Sequence, residues 1–140
     1  LQAYLGNDER RPAPLILGHE AAEVVVEGPG TGRRVTVNPL ATCGKCRACK
    51  TGRNNLCPER QILSMMPRQG AFAEYIAISA ENLVEMPHHV SFEQACLAEP
   101  LACGWHGVRL GAGVVDVPLA EACCLVIGGG AIGLGAALAL

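Results

Sequence analysis

Four cysteines within fifteen residues constrain this chain more than any other feature of its sequence. The stretch CGKCRACKTGRNNLC has hardly any apolar side chain between its cysteines, which are Cys43, Cys46, Cys49 and Cys57. Their spacing allows a short loop to bring four thiolates around one ion, and zinc favours such a tetrahedral sulfur shell. Metal binding would then supply the folding energy that a hydrophobic core cannot supply here. The sequence therefore predicts a structural zinc lobe over residues 43–57.

The residues between the cysteines are suited to such a lobe. Gly44 and Gly52 permit tight turns, and four basic side chains would offset the thiolate charge: Lys45, Arg47, Lys50 and Arg53. Free or disulfide-bonded cysteines are one alternative, and a nucleic-acid-binding zinc module is another. Since the lobe has no aromatic residue for base stacking and the chain has a formal net charge of −2, we expect no nucleic-acid partner.

The remaining four cysteines indicate the redox compartment. They are scattered through apolar sequence, at Cys96, Cys103, Cys123 and Cys124. A disulfide framework would more usually spread all eight over a domain with a poor core, so we expect a reducing compartment, the cytoplasm.

The chain has 140 residues, room for about one domain with a proper core. Because it starts at Leu1 without Met and stops inside AIGLGAALAL, we expect it to be a piece of a longer protein.

A second group of residues lies in LGHEAAEVVVEGPGTGRRVTVNP. The β-branched runs Val24–Val26 and Val35–Val37 flank a Gly/Pro/Thr turn, which predicts paired antiparallel strands. His19 and Glu20 come just before the first run. Adjacent residues on a strand face opposite sides, so both could reach one metal only where the backbone is irregular, and Gly18 would permit that. A structural role for this pair is the alternative.

Two further segments lie between these strands and the C-terminal segment. GAFAEYIAI, residues 70–78, is predicted to form a strand. Ser91 and Gln94 form a capping box that opens a helix, and Pro100 is expected to interrupt it. Glu99 would then lie at a break between two helical pieces, a suitable position for a metal ligand. A solvated charge at a helix junction is the alternative.

The C-terminal segment CLVIGGGAIGLGAALAL carries a phosphate-binding pattern. Cys124–Ile127 is predicted to be a buried strand, and Gly128, Gly130 and Gly133 form G-x-G-x-x-G at the turn into a helix. Such glycines allow a pyrophosphate to approach the helix N-terminus. The uncharged run from Ala122 to Leu140 could also suggest a membrane span. Three consecutive glycines disfavour a continuous helix, so we expect strand, turn and helix, and no membrane partner.

Taken in order, GHE, the cysteine lobe, GAFAEY, EPLA and GGGAIG resemble the zinc-containing medium-chain dehydrogenases/reductases of the alcohol dehydrogenase superfamily. The EPLA motif is most similar to the polyol and threonine dehydrogenase branch. The resemblance implies a mainly β fold with α-helices. A GroES-like catalytic domain would cover residues 1–120, and the first strand and helix of a Rossmann NAD(P)-binding domain would cover residues 121–140.

The same resemblance implies the site residues. His19 and Glu99 would bind a catalytic zinc, and Glu20 would be either a ligand or a partner of one. The family's further catalytic ligand is a cysteine expected upstream of Leu1. Cys43, Cys46, Cys49 and Cys57 would bind the structural zinc, while Gly128, Gly130 and Gly133 would contact the pyrophosphate of NAD or NADP.

The implied activity is that of an oxidoreductase. Hydride would pass between a small-molecule alcohol or polyol and the nicotinamide cofactor in a homodimer or homotetramer, and this piece alone would be inactive. A non-enzymatic structural zinc-binding module is the alternative. An enzyme without catalytic zinc, like the quinone reductases, is disfavoured because such an enzyme would lack both the cysteine lobe and GHE.

Overall fold

The computed structural model describes residues 2–140, which form two compact units. The first unit ends at Ala95, and the second runs from Cys96 to Leu140. The elements of the first unit, in chain order, are β1 (Ala22–Val24), β2 (Arg34–Val37), β3 (Leu40–Ala41), α1 (Arg47–Lys50), β4 (Gln61–Ile62), β5 (Leu83–Glu85) and α2 (Phe92–Ala95). The second unit contains α3 (Ala98–Ala112) and α4 (Ala131–Ala139). Single 3-10 turns occur at Asn54–Leu56, Ala80–Asn82 and Leu119–Glu121.

The main sheet has the antiparallel order β1-β2-β5, with β2 in the centre. Val35 and Val37 of β2 are buried, while Arg34 and Thr36 between them are half-buried, as expected for alternating faces of a strand. Val37 packs with Ala21 and Leu63 in the core of the unit. The predicted pairing of the two valine runs is confirmed, although the first strand begins at Ala22 and ends at Val24.

The prediction of a strand over residues 70–78 is wrong, because this segment contributes to no strand ladder. Three successive amides, of residues 70–72, donate instead to carbonyls of residues 16–18. Ile76 and Ile78 pack against the core without pairing. Gly18 has φ +92°, which breaks the alternation that a ladder requires on the partner segment.

The predicted capping box is confirmed. The Ser91 amide donates to Oε1 of Gln94 at 3.0 Å, and the Gln94 amide donates to Oγ of Ser91 at 3.2 Å. The expected break at Pro100 is wrong, because the helix stops at Ala95 and restarts at Ala98. Pro100 lies in the first turn of α3, where its missing N–H costs no intrahelical hydrogen bond. Glu99 is therefore inside a helix, not at a break.

The predicted strand over Cys124–Ile127 is also wrong, since this segment is extended but pairs with no strand among residues 2–140. Leu125 is 84% exposed and Ile127 is 91% exposed, because nothing in the second unit covers them. The predicted helix follows as α4. Within residues 2–140, no helix combines the length and apolar character needed to cross a membrane. The domain boundary near residue 120 stays a prediction.

Candidate metal centre

The cysteine lobe is the loop between two short paired strands. In the β3-β4 ladder, Leu40 lies opposite Ile62 and Ala41 lies opposite Gln61. This ladder brings together the two ends of the loop, so that cysteines fourteen positions apart can meet. The lobe is thus attached to the first unit by a two-stranded base.

The four predicted zinc ligands converge. All four Sγ atoms lie within 4.8 Å of one another. The Sγ atoms of Cys46 and Cys49 are 3.5 Å apart, and those of Cys43 and Cys57 are 3.6 Å apart. Four sulfurs at about 2.3 Å from one zinc would be about 3.8 Å from one another, so the shortest distances match the edge of a zinc–thiolate tetrahedron. The donor set and its spacing therefore fit zinc, and a site with four protein ligands leaves no position for substrate.

Local backbone geometry holds the sulfurs in place. Cys46 is the N-cap of α1, where its Sγ accepts a hydrogen bond from the Cys49 amide at 3.5 Å. Gly44 has φ +67° and Gly52 has φ +74°, the left-handed conformation that their predicted turns need. The Cys57 amide donates to the Asn54 carbonyl at 3.0 Å, which closes the last turn of the lobe.

The electrostatics of the lobe favour thiolates. The backbone N–H of Lys45, and next that of Cys46, donates to Sγ of Cys43 and lowers the pKa of this thiol to about 7. The four basic side chains of the lobe are exposed around the sulfurs, at Lys45, Arg47, Lys50 and Arg53. The segment from Cys43 to Cys57 contains no acidic residue. The positive side chains of the lobe would therefore partly neutralise the negative charge of a four-thiolate metal complex.

The second predicted site begins with the His19–Glu20 pair. These adjacent residues offer metal-binding atoms within 4.8 Å of each other. His19 is half-buried and Glu20 is exposed. Both precede β1, in irregular backbone that follows the left-handed Gly18. Within the first unit, the irregular backbone after Gly18 thus lets both side chains approach one point, and their role as metal ligands stays a prediction.

Gly18 is also required for packing. A Cβ at this position would lie 2.6 Å from Cδ1 of the Phe72 ring. The Ala71 amide donates to the Gly18 carbonyl, and the Phe72 amide donates to that of Leu17. The GAF part of GAFAEY therefore supports the GHE segment, a relationship that no sequence periodicity indicated.

A cleft of about 510 Å³ opens beside His19 and Glu20. Its wall includes a charged cluster that the sequence analysis missed, in which Asp8 binds both Arg10 and Arg11. The hydrogen bond from Arg10 is the main cause that lowers the pKa of Asp8 to about 2. Nε of Arg11 also donates to the Ser64 carbonyl at 3.0 Å, across 53 positions of sequence. Only the sequence order D-x-R-R could have indicated this cluster.

Glu99, the predicted acidic ligand, belongs to the second unit. It is half-buried in the first turn of α3, and its Oε1 lies 3.6 Å from Sγ of Cys103, one turn further along the same helix. Its role as a metal ligand remains a prediction.

The glycine motif forms the expected turn into a helix. Gly128 has φ +112°, and Gly130 is the N-cap of α4. A Cβ on Gly133 would collide with the carbonyl oxygen of Gly128. The turn can therefore close only if Gly133 lacks a side chain, which is one of the functions that glycine has in a dinucleotide-binding turn.

Comparison with known proteins agrees with this arrangement. Residues 1–88 match the alcohol dehydrogenase GroES-like domain. Sorbitol dehydrogenase of Bacillus subtilis (strain 168) is 44% identical over 99 residues, which are 66% of this chain and 28% of that protein. L-threonine 3-dehydrogenase of Pyrococcus furiosus is 38% identical over 127 residues, which are 86% of this chain and 34% of that protein.

A solved structure extends the likeness to the fold. Galactitol-1-phosphate dehydrogenase from Escherichia coli is 29% identical, with a TM-score of 0.76 over 91% of this chain and 37% of that one. The chain spans about a third of the length of these relatives. The expected GroES-like fold, with small sheets and helices, is confirmed. The chain belongs to the medium-chain dehydrogenase/reductase superfamily, the family of the alcohol dehydrogenases.

Proposed function

We propose that this chain is part of a zinc-dependent oxidoreductase that transfers hydride between an alcohol or polyol and NAD or NADP. Its family membership and its likeness to a sorbitol dehydrogenase support this reaction class. They also disfavour a purely structural zinc-binding module, because the matched relatives are dehydrogenases. The lobe of Cys43, Cys46, Cys49 and Cys57 would hold the structural zinc, which takes no part in the reaction.

The observation that carries the proposal is the His19–Glu20 pair. Two adjacent residues whose side chains would point apart on a regular strand here offer metal-binding atoms within 4.8 Å of each other. They do so beside an open cleft, on backbone that Gly18 keeps irregular. A site that is accessible to substrate is what distinguishes a catalytic zinc centre from a structural one.

In this proposal His19 binds the catalytic metal through an imidazole nitrogen, and Glu99 supplies an acidic ligand. Glu20 is either a further ligand or a hydrogen-bond partner that orients one. Zinc bound there would polarise the substrate hydroxyl and make it more acidic, and the nicotinamide would accept the hydride. The half-buried position of His19 limits the access of water to the ligand, while the cleft leaves space for substrate.

The nicotinamide cofactor would be bound through its pyrophosphate at Gly128, Gly130 and Gly133. Gly130 caps α4 without a side chain, so the first amides of this helix remain open to an anion. The left-handed Gly128 turns the chain into the helix, and Gly133 keeps that turn close. The choice between NAD and NADP depends on a residue about 20 positions beyond the motif, past Leu140.

The proposal also includes the substrate class, the oligomeric state and the cellular compartment. The substrate is a small alcohol or polyol, the active enzyme is a homodimer or homotetramer, and the compartment is the cytoplasm. The half-exposed thiols of the lobe require a reducing compartment to stay available for zinc.

The test uses the product of the full-length gene that encodes this chain. We expect NAD- or NADP-linked oxidation of a polyol such as sorbitol, loss of activity with a chelator, and loss of activity in His19→Ala. His88→Ala is the matched control, because His88 is an exposed histidine in a turn after β5 and should leave activity unchanged. A full-length protein that binds zinc but no dinucleotide would overturn the proposal.

The 140-residue chain by itself should show no turnover. The paired strand that its glycine motif requires is missing from the described structure, and residues 124–127 are extended without a partner. Dehydrogenase activity of this chain alone would contradict that expectation.

A further inference from the structure

Two pairs of thiols in the lobe lie close enough to be joined. The Sγ atoms of Cys46 and Cys49 are 3.5 Å apart, and those of Cys43 and Cys57 are 3.6 Å apart. A disulfide bond has a length of about 2.05 Å, so each pair needs an approach of only about 1.5 Å to be joined. Formation of the Cys46–Cys49 and Cys43–Cys57 disulfides therefore needs little movement of the lobe.

The two pairs differ in accessibility. Cys46 and Cys49 are both half-buried, so a small molecule can reach their sulfurs. Cys57 has 0% exposure, which shields one member of the other pair completely. Oxidation of a thiol depends on access as well as on thiolate character. Peroxide can reach both sulfurs of the Cys46–Cys49 pair but only Cys43 of the other pair, so we expect the Cys46–Cys49 disulfide to form first.

We propose that the lobe is a peroxide-sensitive switch, in which a disulfide between Cys46 and Cys49 forms first and releases the metal. This inference rests on the structural zinc site proposed above. The oxidant is a hydroperoxide, for which hydrogen peroxide is the simplest probe.

The reaction balances as a two-electron oxidation. One thiolate of the pair attacks a peroxide oxygen, the O–O bond breaks, and the departing hydroxide takes a proton to become water. The other thiolate attacks the resulting sulfenic sulfur, which forms the S–S bond and expels a second hydroxide that also becomes water. The two sulfurs lose two electrons, and the peroxide gains them.

Loss of the metal follows from the change in ligands. A disulfide sulfur has no thiolate charge, so the oxidised lobe keeps only Cys43 and Cys57 as anionic ligands. Two thiolates do not complete the tetrahedral shell of a structural zinc site. Once the metal has left, the lobe can open and the second pair can be oxidised in turn.

The experiment measures zinc release and the pairing of the cysteines in disulfides separately. The zinc-loaded chain is treated with hydrogen peroxide, released zinc is followed with a chromogenic chelator, and free thiols are alkylated before digestion with trypsin. Cleavage places the four cysteines on four different peptides, because it follows Lys45, Arg47, Lys50, Arg53 and Arg60. Mass spectrometry of the unreduced digest then identifies each disulfide by the two peptides that it joins.

We expect peptide 46–47 joined to peptide 48–50 at the earliest times, with zinc release in step, and a Cys43–Cys57 link later. A matched variant with serine at Cys96, Cys103, Cys123 and Cys124 should behave in the same way. The proposed switch would be overturned by any of three results. These are mixed pairings, disulfides between chains as the first product, and zinc release before any disulfide forms. The zinc content measured before peroxide tests the metal site itself, so failure of that site is distinguished from failure of the switch.

Discussion

Sγ of Cys57 lies 3.6 Å from Sγ of Cys43, although fourteen positions separate the two residues in sequence. The β3-β4 ladder makes this contact, because it joins the two ends of the loop that carries the cysteines. Cys57 is fully buried, so its thiol faces the other sulfurs and not water. The ladder and the four sulfurs together give the lobe a geometry that could hold one metal ion with four protein ligands.

The lobe should bind one zinc ion. Metal analysis should find one equivalent bound through the lobe, with Zn–S distances of about 2.3 Å by X-ray absorption. Cys46→Ser should lose most of this zinc, because it removes both a ligand and the N-cap sulfur of α1. Cys96→Ser is the matched control, since Cys96 lies outside the lobe. Unchanged zinc content in Cys46→Ser would refute the assignment.

Two alanine substitutions on α3 should have opposite effects on the stability of the packed helices α3 and α4. A Cβ on Gly104 would lie 2.6 Å from the backbone nitrogen of Ala136, whereas a Cβ on Gly107 would meet nothing within 4 Å. Gly104→Ala should lower the free energy of unfolding by about 1–3 kcal/mol through overpacking. Gly107→Ala should raise it by about 0.5–1 kcal/mol through helix propensity.

Thermal unfolding followed by circular dichroism at the helical band measures both variants. Equal shifts for Gly104→Ala and Gly107→Ala would show that close packing of the two helices does not govern their stability.

Gly18 should be sensitive to substitution for two separable reasons. Gly18→Ala introduces a Cβ both at φ +92° and against the Phe72 ring. Gly28→Ala has the same backbone strain at φ +95° but open space around the Cβ. Gly18→Ala should therefore destabilise the chain more than Gly28→Ala does, and adding Phe72→Ala should recover part of the difference.

Chemical unfolding of the three variants and of Phe72→Ala alone completes the cycle. If Phe72→Ala recovers nothing in the Gly18→Ala background, the ring contact does not contribute to holding the GHE segment.

Asp8 should make stability depend on pH in the acid range. The hydrogen bond from Arg10 holds the pKa of Asp8 at about 2, below its ordinary value of 3.8. A lowered carboxyl pKa contributes stability that is present above the unfolded value and is lost as the pH falls from about 4 to about 2. The carboxyl carbon of Asp8, followed by NMR, should titrate near 2, and Arg10→Gln should move that midpoint upwards. A midpoint near 3.8 in the unaltered chain would disprove the interaction in solution.

Local patterns predicted local structure well. The cysteine spacing, the turns at Gly44 and Gly52, the Ser91–Gln94 capping box and the turn at Gly128 depend on residues close together in sequence. Pairing of the valine runs was also predictable, because a glycine-rich turn separates two β-branched segments. The contact that ties the Asp8 cluster to the rest of the unit, from Arg11 to the Ser64 carbonyl, was not predictable in this way, because it crosses 53 positions.

The wrong predictions share a physical cause. Apolar β-branched sequence over residues 70–78 and at Cys124–Ile127 is suited to a strand, but a strand forms only when a neighbour supplies a hydrogen-bond ladder. The first segment donates amides to an irregular partner at residues 16–18, and the second has no partner among residues 2–140. Likewise, Pro100 breaks a helix interior but not a first turn, and the helix start at Ala98 decided which of these applied.

The sequence by itself determined the candidate ligand types, their spacing and the family, because these depend on residue identity and short-range order. Only the tertiary structure decided that GAF supports GHE through the Phe72 ring, that a two-stranded ladder closes the lobe, and that all four sulfurs converge within 4.8 Å. Those relationships arise from contacts between segments far apart in the chain, whose energies depend on packing and hydrogen-bond geometry that no local pattern contains.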